Sequence, residues 1–263
     1  MLGTWAGMVA GAGNPSVAEA LAATSAPGSA QVTIFGRLHS THPPERAVTT
    51  GTGVIDFTRP AWTVRDVVRS TALPPMGGTG YAPITSASEI IVVGSASYLR
   101  LATGPPGASA EAWIRQPGGG PDSVASPLDG VAGSALGLLA YQPGQLFLVR
   151  AATPATDGGT PYGVRPTTQL SACLAAHRRP GNSSQISTTV WLDGEGRIVR
   201  VRSTERDLIA DQGAPFPAGS FVFESVVTMT LGQFGRPVHI EAPSAASVQR
   251  PAYPRLITLR APC

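Results

Sequence analysis

The sequence predicts an α+β fold dominated by an antiparallel β-sheet of about nine to eleven strands with one apolar face. Three observations carry that expectation. Hydrophobic residues make up 42% and charged residues 13% of the chain, a balance opposite to that of disordered proteins. Its 31 glycines and 25 prolines, about a fifth of 263 residues, make turns frequent and long helices few. Apolar and polar residues then alternate with period two through most of the chain.

Met1 to Gly13 is a run of small and apolar residues, MLGTWAGMVAGAG, in which Ala10-Gly11-Ala12 fits a signal-peptidase site. It reads as a shortened export signal without its charged start. Asn14-Pro15 predicts a helix start, with Asn as N-cap and Pro at the first helical position. Val17, Ala20, Leu21 and Thr24 share one face of that helix, and Pro27-Gly28 ends it. Strands follow at 31–38, 51–57 and 61–70, with Ile55, Phe57, Trp62 and Val64 on one face and Asp56 and Arg65 on the other. Further strands are expected at 89–93 and 97–101, and a short extended segment at 112–114.

Ser126-Pro127-Leu128-Asp129 is a capping box that opens a second helix, presenting Leu128, Val131, Ala135, Leu138 and Leu139 and ending at Pro143-Gly144. Strands resume at 146–150, a loop surrounds Asp157-Gly158-Gly159, and residues 169–176 read as extended. Ile186 to Leu192 and Arg197 to Arg202, joined by Asp193-Gly194-Glu195-Gly196, form the clearest hairpin. Residues 221–231 make the longest strand, with Phe221, Phe223, Val227, Met229 and Leu231 alternating with polar residues and Ser225 interrupting the apolar face.

The chemistry-bearing residues are sparse. All 19 basic residues are arginine, the net charge is +3, and the arginines do not cluster in sequence beyond Arg178-Arg179, so nucleic acid is not expected as a partner. His39, His42, His177 and His239 lack metal-ligand spacing, and neither a metal nor a cofactor is expected. Cys173 and Cys263 read either as two thiols or as a disulfide fastening the C-terminal tail. No GxSxG elbow and no strand-linked glycine fingerprint are present, so the expectation is a protein that is not an enzyme. No apolar run reaches the roughly 18 residues of a membrane-spanning helix.

Ten strands would offer an inner face of about 1,000 Å², of which two short helices shield roughly 360 Å². A closed barrel, a sandwich or an apolar guest would each cover the remainder. The order of elements, with "EIIVVGSASYLRL", "PLDGVAGSALGLLA", "VWLDGEGRIVRVR" and "FGRPVHIEAPSAASV", resembles the LolA-like lipoproteins across residues 16–248. Within them it is most similar to the LppX/LprG group of the actinobacterial cell envelope. Val190 to Val201 and Phe234 to Val248 carry the likeness best, above all Phe234-Gly235-Arg236-Pro237-Val238 and Ala242-Pro243.

The resemblance implies a strongly curved antiparallel sheet, an incomplete barrel, with short helices plugging its concave face. It also implies one lipid-binding domain over residues 14–248, between the leader 1–13 and a C-terminal extension 249–263. The function it implies is non-catalytic: lipids or acylated molecules held in a hydrophobic cavity, for carriage or sensing in the extracytoplasmic envelope. The partners would be acyl chains of lipids or lipoproteins, with association at a membrane surface, and the protein would be a monomer. Three departures stand out: no lipid-anchoring cysteine near Met1, Pro166 within a segment where such proteins run a strand, and the tail itself.

The inward alternating residues expected to line the cavity are Val32, Ile34, Ile55, Phe57, Trp62, Val64, Val199, Val201, Phe221, Phe223, Val227 and Met229, closed over by Leu138 and Leu139. Plain core packing is the competing reading for each. A protein-binding module of the same fold, using a sheet edge or the loop Thr103 to Pro121, is the alternative function. An enzyme would need polar groups converging inside the cavity.

Overall fold

The computed structural model describes residues 14–41, 44–59, 61–72, 82–94, 96–103, 112–116, 146–151, 159–166, 182–209 and 221–249. The expected second helix with Leu138 and Leu139, the leader, both cysteines, His42, His177 and the extended run 169–176 lie outside them.

Helix α1 spans Val17–Ser25. The sequence suggested that Asn14 caps it; the structure gives that role to Ser16. Ser16 Oγ accepts from the Glu19 backbone N–H at 3.1 Å, and Glu19 Oε2 accepts from Ser16 N–H at 2.7 Å. A reciprocal capping box satisfies two of the otherwise unpaired helix donors, and a lone Asn at position 14 has no such return bond to offer. Val17, Ala20 and Thr24 are buried, the face the sequence indicated, with Leu21 packed beside them. Gly28, at φ +87°, turns the chain from the helix into the sheet.

The strands are β1 (Ser29–Thr41), β2 (Pro44–Asp56), β3 (Ala61–Ala72), β4 (Ala82–Val93), β5 (Ala96–Thr103), β6 (Trp113–Gln116), β7 (Leu146–Arg150), β8 (Thr160–Pro166), β9 (Asn182–Leu192), β10 (Ile198–Ile209), β11 (Phe221–Gly232) and β12 (Val248–Gln249). All join one sheet in the order β12-β6-β5-β4-β3-β2-β1-β11-β10-β9-β8-β7. Every pairing is antiparallel except the two-residue contact of β12 with β6. The sheet is curved and does not close on itself, because β12 and β7 are its two edges. The fold class is therefore the expected incomplete barrel, with twelve strands where nine to eleven were anticipated.

Most strands run longer than the sequence suggested, since β-branched and small polar residues extend each alternating core. The loop read around Gly159 ends in strand β8, which pairs with β7 and β9. Pro166 is its last residue, a position where a missing N–H is tolerated. Residues 238–241 are irregular, with Ile240 buried at 3% exposure.

The chain folds back at one end of the sheet through the two motifs that carry the sequence resemblance. In the β9–β10 turn the Asp193 carboxylate accepts from the backbone N–H of Glu195 and of Arg197, at 3.0 and 2.9 Å, and from Arg197 Nε at 2.8 Å. Burial works to raise the Asp193 pKa, but these donors outweigh it and the net shift is downward. Gly196, at φ +78°, closes the turn by donating to the Asp193 carbonyl. The Arg197 guanidinium stacks 4.7 Å from the centre of the Phe234 ring. Gly235 N–H then donates to the Ser29 carbonyl at 3.0 Å, and Ser29 Oγ to the Arg236 carbonyl at 2.5 Å. The hairpin "LDGEGR" and the segment "FGRP" are thus one packed corner.

Candidate functional site

Register decides which side chains share a face, and the pairings define cross-strand rows on the side of the sheet that carries α1 and the main core. One row joins Leu99, Ile90, Val64, Gly53, Val32 and Leu231. Its neighbour joins Ser97, Val92, Trp62, Ile55 and Ala30. The next row on the other side joins Leu101, Ser88, Asp66, Gly51, Ile34, Met229, Val201, Val190 and Tyr162. A fourth joins Val68, Thr49, Gly36, Val227, Ser203, Thr188, Val164 and Leu148.

The inner face is therefore graded along the strand direction. Its first two rows are apolar except at Ser97, a buried hydroxyl on β5. Further polar groups enter in the third and fourth, where Thr49, Asp66, Thr188 and Ser203 are all buried. Thr188 Oγ1 and Ser203 Oγ lie 3.2 Å apart and satisfy each other.

Asp66 is 3% exposed, and Ser88 Oγ donates a hydrogen bond to its carboxylate. Burial pushes its pKa above the ordinary carboxylate value, against the pull of the Ser88 hydrogen bonds. No cation stands within ion-pair distance of it among the described residues. Gly51 opposite makes room: a Cβ there would stand 3.1 Å from the Asp66 Cβ and 3.5 Å from the Ile34 Cβ. Asp66 was not singled out among the candidate residues read from the sequence. Its signal was available in the pattern itself, since Trp62, Val64 and Asp66 share one parity.

The predicted lining residues separate into groups. Val32, Ile34, Val64, Val201, Val227 and Met229 belong to the main core and are at most 6% exposed. Ile55, Phe57 and Trp62 are half-buried and pack against that core from its margin. Phe223, also half-buried, pairs with Ser40 of β1. Phe221 lies on β11 opposite Ile209. Val199 lies at an irregularity: the β9–β10 pairing shifts register between Ile198 and Arg200, Ile198 opposes Leu192 and joins the core, and Val199 itself is half-buried.

Several core residues had not been singled out. Val190, Leu192, Leu148 and Leu231 complete the main cluster, and Ile90, Val92 and Leu99 form a second one, with Trp62 and Leu101 packed against it. Trp62 and Val64 lie beside this second cluster as well as the first, since they pair with Val92 and Ile90. Helix α1 packs against β10 and β7, at the other half of the sheet. Thr24 fastens it there by donating to the Ala20 carbonyl at 2.6 Å and accepting from the Ile198 N–H at 2.8 Å.

His39 is exposed on β1, and His239 bonds Glu241 at 2.7 Å with both side chains about three-quarters exposed. Among the described residues no three His, Cys, Asp or Glu side chains gather to hold a metal, and no helix is long and apolar enough to cross a membrane.

No family model matches the chain, and no curated protein matches it in sequence. Solved structures similar to it include two of low identity. One is the lipoprotein LppX of Mycobacterium tuberculosis, at 12% identity over 86% of this chain and 96% of that one, with a TM-score of 0.31. The other is a domain described as an outer membrane lipoprotein-sorting protein of Vibrio parahaemolyticus, at 13% identity over 85% and 92%, with a TM-score of 0.29.

Proposed function

We propose that the protein is a non-catalytic binder of lipids or acylated molecules in the cell envelope. In this reading the acyl chains lie along the apolar rows of the concave face, beside Ile55, Trp62 and the β4–β5 cluster of Ile90, Val92 and Leu99. The observation that carries the reading is the pair of adjacent cross-strand rows, apolar from β4 to β1 with Leu99 extending one of them onto β5 and Gly53 as a shallow step between Val64 and Val32. Half-buried residues of those rows, Ile55 and Trp62, with Phe57 and Leu101 packed beside the same clusters, keep apolar area that a guest would remove from water.

Such binding draws on methylene burial at about 0.8 kcal/mol per CH₂, so affinity should climb roughly fourfold with each added carbon. Headgroup identity should matter less than chain length. The test is native mass spectrometry of delipidated protein after incubation with a phospholipid extract and with fatty acids of graded length. Retained acyl ligands with chain-length dependence support the reading; repeated recovery of the empty protein overturns it.

A further inference from the structure

The face opposite the apolar rows has a pattern of its own. Residues that alternate with the inner rows project outward, and on β1, β2, β3 and β10 these include Arg37, Arg46, Arg65, Arg69, Arg202 and Arg206, all exposed. The register gathers residues far apart in sequence. Arg37, Val48 and Arg69 form one row; Arg202, Thr228, Phe35 and Thr50 form the next; Arg206, Glu224, His39 and Arg46 form a third. Glu224 of β11 is the one exposed carboxylate at the outward positions of β1, β2, β3, β10 and β11 among the described residues. Phe35 and Val48, at 42% and 39% exposure, stand among the arginines, and the Arg37 guanidinium lies 5.2 Å from the Phe35 ring centre.

From this outward arrangement of arginines around Phe35 and Val48, we propose that the convex face docks on an anionic phospholipid surface. Five adjacent strands at about 4.8 Å and rows about 7 Å apart make a patch roughly 20 Å across. That is within about two Debye lengths at 0.1 M salt, so the charges act together on a surface of phosphates. Guanidinium groups pair with phosphate oxygens in bidentate fashion. A ring and an isopropyl group raised among them suit the interfacial layer, where an apolar tip enters between headgroups. An array of arginines on a sheet face fits a flat polyanion better than a strand of nucleic acid, which is held in grooves with stacked bases.

The docking surface and the cargo surface lie on opposite sides of the same strands, so either reading can fail alone. The experiment is flotation of the full chain with vesicles of phosphatidylcholine alone and with about one third phosphatidylglycerol, at low salt and at about 0.5 M salt. Flotation with the anionic vesicles only, lost at high salt, is expected. The triple variant Arg37→Glu, Arg69→Glu, Arg202→Glu should bind at least about a hundredfold more weakly while keeping its circular dichroism spectrum. Arg37→Lys should retain most of the binding, which separates charge from fold. Absence of flotation, equal flotation with neutral vesicles, undiminished flotation of the triple variant, or tighter binding to a single-stranded oligonucleotide would overturn the proposal.

Discussion

Asp66 and Asp56 are both largely withdrawn from solvent and respond to pH in opposite directions, for reasons visible in their neighbours. The Arg59 side chain at 2.7 Å and the Thr58 hydroxyl at 2.6 Å hold Asp56 down to a pKa of about 2, from an ordinary 3.8. A depressed carboxylate contributes stability that is present above the unfolded value and is lost as pH falls through the folded one. Asp66 has no such cation, and burial raises its pKa from the same 3.8. Its favourable contribution is complete below that value and disappears as pH rises through the raised folded pKa, because the native state then holds a buried charge. Asp66→Asn should therefore flatten the stability–pH profile above pH 4 and be relatively most stabilising near neutrality. Urea unfolding of both proteins across that interval measures it. A difference between them that stays constant with pH would show that Asp66 does not titrate in this environment.

At the level of elements, the helix depends on two hydroxyls with different tasks. Ser16 starts α1, whereas Thr24 joins it to the sheet through the Ile198 N–H at the register shift. That N–H is buried, so removing its acceptor leaves an unsatisfied donor worth about 1–3 kcal/mol. Thr24→Val keeps the shape and should destabilise by that amount; Thr24→Ser keeps the oxygen and should stay within about 1 kcal/mol of the parent. Chemical denaturation of the pair separates hydrogen bonding from packing, since a loss in Thr24→Ser as large as or larger than that in Thr24→Val would show that the hydroxyl is not what holds the helix there. The helical face was legible in the spacing of Val17, Ala20 and Thr24, but the cap was not, because Asn14-Pro15 and Ser16-x-x-Glu19 both offer start signals two residues apart. Strand β8 was obscured for a related reason: Thr160-Pro161-Tyr162-Gly163 carries turn residues, and its pairing with β7 and β9 overrides them.

Across the whole molecule, what the sequence could not supply was register. Parity told which residues of β1 and β11 face inward, and Val32, Ile34, Val227 and Met229 do so. It could not tell that Asp66 would stand opposite Gly51, that a register shift would bring Ile198 opposite Leu192, or that arginines as far apart as Arg37 and Arg206 would meet on one face. Each of those is a consequence of long-range pairing, absent from any local window. The same register yields a test that distinguishes core from cargo surface. A ligand that binds only the folded state at a hundredfold excess over its Kd adds about 2.7 kcal/mol of stability, or a rise in Tm of roughly 5–10 °C for a chain of this size. Val32, 1% exposed in the main core, contributes to folding whether or not a guest is present. Val32→Ala should therefore lower Tm by itself yet leave the rise on adding a long-chain fatty acid intact. Trp62, half-buried between the two clusters, should behave in the reverse way: Trp62→Gln should change Tm modestly and abolish most of the ligand-induced rise. Differential scanning calorimetry of the three proteins with and without the fatty acid reads both quantities at once. If Trp62→Gln keeps the full rise while Val32→Ala loses it, the guest sits deeper than the margin defined by Ile55, Phe57 and Trp62. If neither protein nor parent shows a rise, the apolar rows serve the fold alone.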